Sequence, residues 1–116
     1  MPKVTIYHNP HCSKSRQTLD LLRQKGIEPT IVEYLKTPPN VDTLKKVLEL
    51  LGLPPSGLMR KKEPAYKEAG LDDESLSEDA QIAAMVAHPK VIERPIVVSN
   101  GKARIGRPPE SVLDIV

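Results

Sequence analysis

Residues 8–16, HNPHCSKSR, hold the chain's only cysteine, Cys12, two of its three histidines, His8 and His11, and the cations Lys14 and Arg16. A lone cysteine among such neighbours can be a buried structural thiol, a metal ligand or a nucleophile. The segment lies between an apolar run, VTIY, and a helical pattern, TLDLLRQKG, so Cys12 falls where a strand turns into a helix. Backbone N–H groups there lack intrahelical partners, and the helix dipole favours negative charge. Both effects stabilise a thiolate, and cysteines so placed titrate between about 3.5 and 7.5 instead of near 8.5. Lys14 and Arg16, with His8 or His11, are expected to add positive potential, and the same N–H groups suit a bound oxyanion. Strand-to-helix junctions are usually accessible, which argues against an inert buried thiol. A closed metal site needs four ligands, and beyond His8, His11 and Cys12 only one imidazole remains, His88. Nucleophile is the reading these residues favour.

Cys12-Ser-Lys-Ser15 has the spacing of a C-x-x-C redox pair with serine in the second cysteine's place. Such a site closes no local disulfide and must borrow its resolving thiol from another molecule. Three arginines stand in constrained contexts: Arg60 in LMRKKE, Arg94 in ERPIVV and Arg107 in GRPPE. Two of them directly precede proline, which biases them to extended backbone. Arginine offers bidentate donors to tetrahedral oxyanions and keeps its charge at any working pH. Taken singly, each also fits a solvated or ion-paired surface group.

These groups need a frame. KVTIY (3–7) predicts a first strand, 13–25 a helix stopped by Gly26, and TIVEYL (30–35) a second strand. Strand–helix–strand within 35 residues is a βαβ unit with parallel strands. Asn40 is placed to cap a helix whose apolar face is Val41, Leu44, Val47, Leu48 and Leu51, ended by Gly52 and Pro54-Pro55. Residues 56–90 predict helical pieces broken at Pro64, at Gly70 and through 72–75, with Ser77 capping a helix that carries Ile82, Met85 and Val86 and ends at Pro89. PIVVSNGKARIG (95–106) is a hairpin signal centred on Asn100-Gly101. A last helix is expected from Pro108 or Pro109, with Val112, Leu113 and Ile115 inward. The order is β-α-β, helices, then β-β-α.

The chain of 116 residues is expected to fold as one domain with a helical insertion at about 41–90. A net charge of +2, no Phe, no Trp and three Tyr argue against nucleic-acid binding. No stretch approaches the roughly 20 apolar residues of a membrane span, and no secretory h-region follows the N-terminus, so a cytoplasmic address is expected. Twelve prolines, about twice the usual share of roughly 5%, punctuate the periodic segments.

IYHNPHCSKSR, LMRKKEPAY, ERPIVV and RPPESVLDI together resemble the glutaredoxin-coupled arsenate reductases of bacteria, the ArsC-like family, in the same order and over essentially the whole chain. HPKVIERPIVVSNGKARIGRPPE is more similar to the short, chromosomally encoded members. The resemblance implies a thioredoxin-like α/β fold, a four-stranded mixed sheet with an inserted helical segment. It implies Cys12 as nucleophile, His8 as the histidine assisting its ionisation, and Arg60, Arg94 and Arg107 as the oxyanion-binding arginines. Asn9, Ser15 and Arg16 flank the nucleophile as supporting residues, and Pro95 falls where such folds carry a cis-proline. The implied reaction reduces arsenate to arsenite, with glutathione as co-substrate, glutaredoxin as partner, and no metal or tightly bound cofactor; the chain is expected to act as a monomer. Two alternatives stay open on the residues: a glutathione-linked thiol oxidoreductase with another substrate, and an RNA-polymerase-binding regulator of the same fold. The regulators typically carry C-x-x-C where this chain has Ser15.

Overall fold

The computed structural model describes residues 3–116, which divide into two compact units: one of residues up to Thr37 together with Arg94–Val116, the other Pro38–Glu93. In the first unit, β1 (Val4–His8), α1 (Ser13–Gln24) and β2 (Thr30–Glu33) form the βαβ element, and β3 (Ile96–Ser99) and β4 (Lys102–Ile105) form the hairpin. The sheet order is β2-β1-β3-β4, with β1 parallel to β2 and antiparallel to β3, and β3 antiparallel to β4. The expected mixed four-stranded sheet is therefore present.

Side chains alternate across a strand, so Val4, Ile6 and His8 share the buried face of β1. Val4 and Ile6 pack with Leu19 and Leu22 of α1, Val97 of β3, and Val112 and Ile115 near the C-terminus. α1 buries Ser15, Thr18, Leu19 and Leu22 along one stripe. That stripe fixes the helix over β1 and so sets where its first turn, carrying Cys12, can lie. The helix closes at Gly26, whose φ of 78° is left-handed and whose N–H reaches the Arg23 carbonyl.

The second unit holds α2 (Val41–Leu51), α3 (Pro64–Glu68) and α4 (Glu78–Ala87). Asn40 and Ser77 cap α2 and α4 by accepting from the Thr43 and Ala80 N–H groups at 2.8 and 3.1 Å. Leu44, Val47 and Leu48 of the predicted α2 face are buried, while Val41 and Leu51 are half-buried.

Four expectations need correction. The second strand ends at Glu33, because the Lys36 and Thr37 N–H groups both turn back to the Glu33 carbonyl at 2.9 Å. Pro64 does not break a helix but opens α3, where its missing N–H costs nothing. The last segment, Pro109–Asp114, is a 3-10 helix, with Val112 and Ile115 inward and Leu113 only half-buried. A short antiparallel bridge, Met59 with Ile92, flanked by Arg60 N–H to Val91 O and Glu93 N–H to Leu58 O at 2.7 and 2.8 Å, lies where only helical pieces were expected.

The hairpin turn is as read: Asn100 and Gly101 take φ of 56° and 70°. The Asn100 side-chain amide also donates to the Ile115 carbonyl at 2.9 Å, tying the turn to the C-terminal segment. Asn100→Gly should keep the turn but lose that bond, costing about 1 kcal/mol. Asn100→Ala should cost more, about 2–3 kcal/mol, because a Cβ residue lacking a polar side chain is strained at positive φ. Urea unfolding of the two variants checks the ranking.

Candidate active site

The loop that delivers Cys12 is held by its own polar groups. The Cys12 N–H donates to the Asn9 carbonyl at 3.0 Å, and the Asn9 Oδ1 accepts from the His11 N–H at 3.0 Å. The Asn9 N–H donates to Ser15 Oγ at 3.0 Å, and Ser15 Oγ shares a 2.6 Å hydrogen bond with His8 Nδ1. His8, Asn9 and Ser15 are all buried, so this network joins the end of β1, the loop and the first turn of α1. A buried network with its members satisfied rigidifies the segment it links.

Cys12 itself occupies the N-cap position, with extended backbone (φ −96°, ψ 123°). It is only 8% exposed, less accessible than a strand-to-helix junction usually is. Burial pushes its thiol up, yet the net shift is down. The Ser15 N–H, a hydrogen bond and positive charge from Arg94, and the Lys14 N–H outweigh burial by favouring the thiolate. Arg107 completes the surround: its Nη2 lies 3.5 Å from Cys12 Sγ while its Nε donates to the Arg94 carbonyl at 2.8 Å. Arg94 sits next to Pro95 across a cis peptide bond, and Arg107 next to Pro108 across a second one.

The sources of positive potential thus differ from those expected around Cys12. Lys14 acts through its backbone N–H, and its side chain is exposed. The exposed Arg16 guanidinium turns to the Pro10 carbonyl at 3.4 Å. Burial pushes the His8 imidazole below its ordinary range, with Glu33 opposing and Arg23 and Arg16 adding. A ring held neutral supplies little positive charge, and its hydrogen bond goes to Ser15.

Cys12, Arg94 and Arg107 therefore come together in the first unit, with His8, Asn9 and Ser15 behind them. Arg60 belongs to the second unit. There its guanidinium lies between two carboxylates, Nη1 at 4.0 Å from Glu63 and Nε at 3.7 Å from Glu93. Neither glutamate was singled out from sequence; the i,i+3 spacing of Arg60 and Glu63 was the available signal, and Glu93 carried none.

A four-stranded mixed sheet in the order β-α-β…β-β, with a cysteine opening the first helix and a cis-proline before β3, makes this a thioredoxin-like α/β protein. The ArsC family model matches residues 7–115. The chain is 61% identical to "Uncharacterized protein YfgD" of Escherichia coli strain K12, over 98% of this chain and 97% of that protein. It is 50% identical to the arsenate reductase of Neisseria meningitidis, over 97% of each chain. The solved structure "Arsenate reductase from Vibrio cholerae" superposes with a TM-score of 0.95 at 57% identity, covering 98% of both chains. The chain belongs to the ArsC family. Among the described residues, no helix is long and apolar enough to cross a membrane.

Two pH effects follow. Cys12, held below its unfolded value of about 8.5, contributes stability that is fully present above that value and is lost as pH falls through the folded one. Ultraviolet thiolate absorbance should titrate with a midpoint below that of a free cysteine thiol, and Arg94→Ala should move it up. His8 has the opposite charge type. Its lowered folded value leaves the unfolded chain binding more protons below about pH 6.5, so stability should fall there as pH drops. His8→Asn should flatten that acid limb in thermal melts.

Proposed function

We propose that this protein reduces arsenate to arsenite, with Cys12 as nucleophile and glutathione and glutaredoxin supplying the other thiols. One observation carries the reading: a single buried cysteine at a helix start, its thiolate favoured by two N–H groups and Arg94, with Arg107 Nη2 3.5 Å from its sulfur. A thiolate and two guanidiniums at one place suit attack on a tetrahedral oxyanion. The names of the relatives in Neisseria meningitidis and Vibrio cholerae supply the element.

In the proposed cycle the Cys12 thiolate attacks arsenic(V), an S–As bond forms, and one arsenate oxygen leaves as water after protonation. The guanidiniums of Arg94 and Arg107 offset the negative charge on the remaining oxygens. A glutathione thiolate then attacks Cys12 Sγ. The S–As bonding pair passes to arsenic, which becomes arsenic(III) and leaves as arsenite, and Cys12 is left in a mixed disulfide with glutathione. A glutaredoxin thiolate attacks the glutathione sulfur, and Cys12 departs as thiolate. The same N–H groups that activate Cys12 as attacking group stabilise it as leaving group in this last step.

The protein as purified, supplied with glutathione, glutaredoxin and an NADPH-coupled reductase, should consume NADPH only when arsenate is added, and Cys12→Ser should abolish that consumption. Arsenate-dependent turnover no higher than that of Cys12→Ser would overturn the reading. Faster turnover of a glutathione mixed disulfide than of arsenate would move the protein to general thiol exchange. Arg94→Ala and Arg107→Ala should each lower kcat/KM roughly 10- to 150-fold, the equivalent of a lost charge-assisted contact of about 1.5–3 kcal/mol.

A further inference from the structure

Arg94 and Arg107 lie 13 residues apart in sequence, on the segments entering β3 and leaving β4. Each is followed by proline, and each needs its guanidinium at Cys12. Between the two segments stands Gly106, buried, with its N–H donating to the Pro95 carbonyl at 2.9 Å. Its φ lies outside the left-handed region, so backbone conformation does not reserve this position for glycine. Space does. A Cβ at Gly106 would fall 2.5 Å from Thr18 Oγ1, 2.8 Å from Pro95 Cγ and 3.1 Å from Thr18 Cγ2. Carbon atoms in van der Waals contact stand about 3.5–4.0 Å apart.

Neither neighbour can yield cheaply. Thr18 is fully buried on α1, β-branched, and anchored by its Oγ1 donating to the Lys14 carbonyl at 2.8 Å. Pro95 is fully buried, and its ring, closed onto its own backbone, can shift only by a change of pucker. Among the described residues, Gly57 is the only other glycine with an atom within 4 Å of its Cβ position, and there the nearest atoms, at 3.3 Å, belong to the Leu53 side chain. At Gly106, a side chain could be accommodated only by moving the 94–95 segment, the 106–107 segment, or α1. All three carry groups that act on the Cys12 sulfur.

We infer that Gly106 is a positioning residue for the thiolate clamp: by leaving room for the Thr18 side chain of α1 and the Pro95 ring against its own backbone, it holds Arg94 and Arg107 against the first turn of α1. The inference rests on Cys12 as the reactive thiol. It is read by titration and alkylation, not by arsenate turnover, so its failure is distinct from failure of the proposed reaction. Gly106→Ala should raise the Cys12 midpoint by about half to one unit and slow iodoacetamide alkylation at mildly acid pH roughly 3- to 10-fold. A glycine needed for packing alone would lower the melting temperature and leave the titration where it was; a folded Gly106→Ala with wild-type titration overturns the inference. Should Gly106→Ala fail to fold, the space-exchanging pair Gly106→Ala with Thr18→Ala decides. In the pair the added Cβ still meets Pro95 Cγ at 2.8 Å, so a folded pair with a raised Cys12 midpoint supports the inference, and a folded pair with the wild-type midpoint, or an unfolded pair, overturns it.

Discussion

A cysteine 8% exposed is a poor place for negative charge, and the arrangement around Cys12 is organised against that cost. Burial alone would hold the thiol protonated and unreactive. Two backbone N–H groups of α1 and one guanidinium reverse the balance, and each has a separate structural origin. The N–H groups are unpaired because a helix begins there. The helix begins there because Asn9, His11 and Ser15 tie the loop into a fixed turn. Arg94 arrives on the segment that enters β3, the strand that pairs antiparallel with β1. Remove the parallel β1–α1–β2 unit and the N–H groups vanish; remove the hairpin and the guanidinium does.

The elements that build this frame were legible because their signals are local. Asn40 and Ser77 announce their helices, and Asn100-Gly101 announces the hairpin, through chemistry confined to four residues. Cys12 at a helix start followed from the apolar pattern on either side. What stayed hidden depends on contacts between distant residues. The second strand looked longer than it is because Tyr34 and Leu35 suit a strand, yet the chain turns on the Glu33 carbonyl. Lys14 and Arg16 looked like the cations of the site because they are near in sequence; the helix turns their side chains to solvent, and Arg94, far along the chain, supplies the charge instead. The isomer of Arg94-Pro95 likewise belongs to the fold and not to the dipeptide.

Arg60 illustrates a different kind of constraint. Within its own unit it is held by Glu63 and Glu93, and its backbone N–H is fixed to the Val91 carbonyl at 2.7 Å. The bridge between Met59 and Ile92 keeps residues 59–60 and 91–93 side by side. Glu93 is therefore both a partner of Arg60 and the residue before Arg94. Two acidic neighbours compensate a half-buried guanidinium. At 3.7 and 4.0 Å these are loose pairs, and partly exposed pairs of this kind contribute little to stability, on the order of 0–1 kcal/mol.

Ser15 shows how the one-thiol character of the site is built in. In a two-cysteine motif the fourth position supplies the resolving sulfur. Here it is fully buried, and its hydroxyl is engaged twice, accepting from the Asn9 N–H and bonded to His8 Nδ1. That hydroxyl holds the loop and the neutral His8 ring together, a structural task that a bulkier and weakly hydrogen-bonding thiol performs less well. Exchanging redox capacity for rigidity leaves Cys12 without an internal partner, so every disulfide it forms is intermolecular. A thiol whose only disulfides are intermolecular must attack well and leave well, and a depressed pKa held by N–H groups and arginine serves both directions.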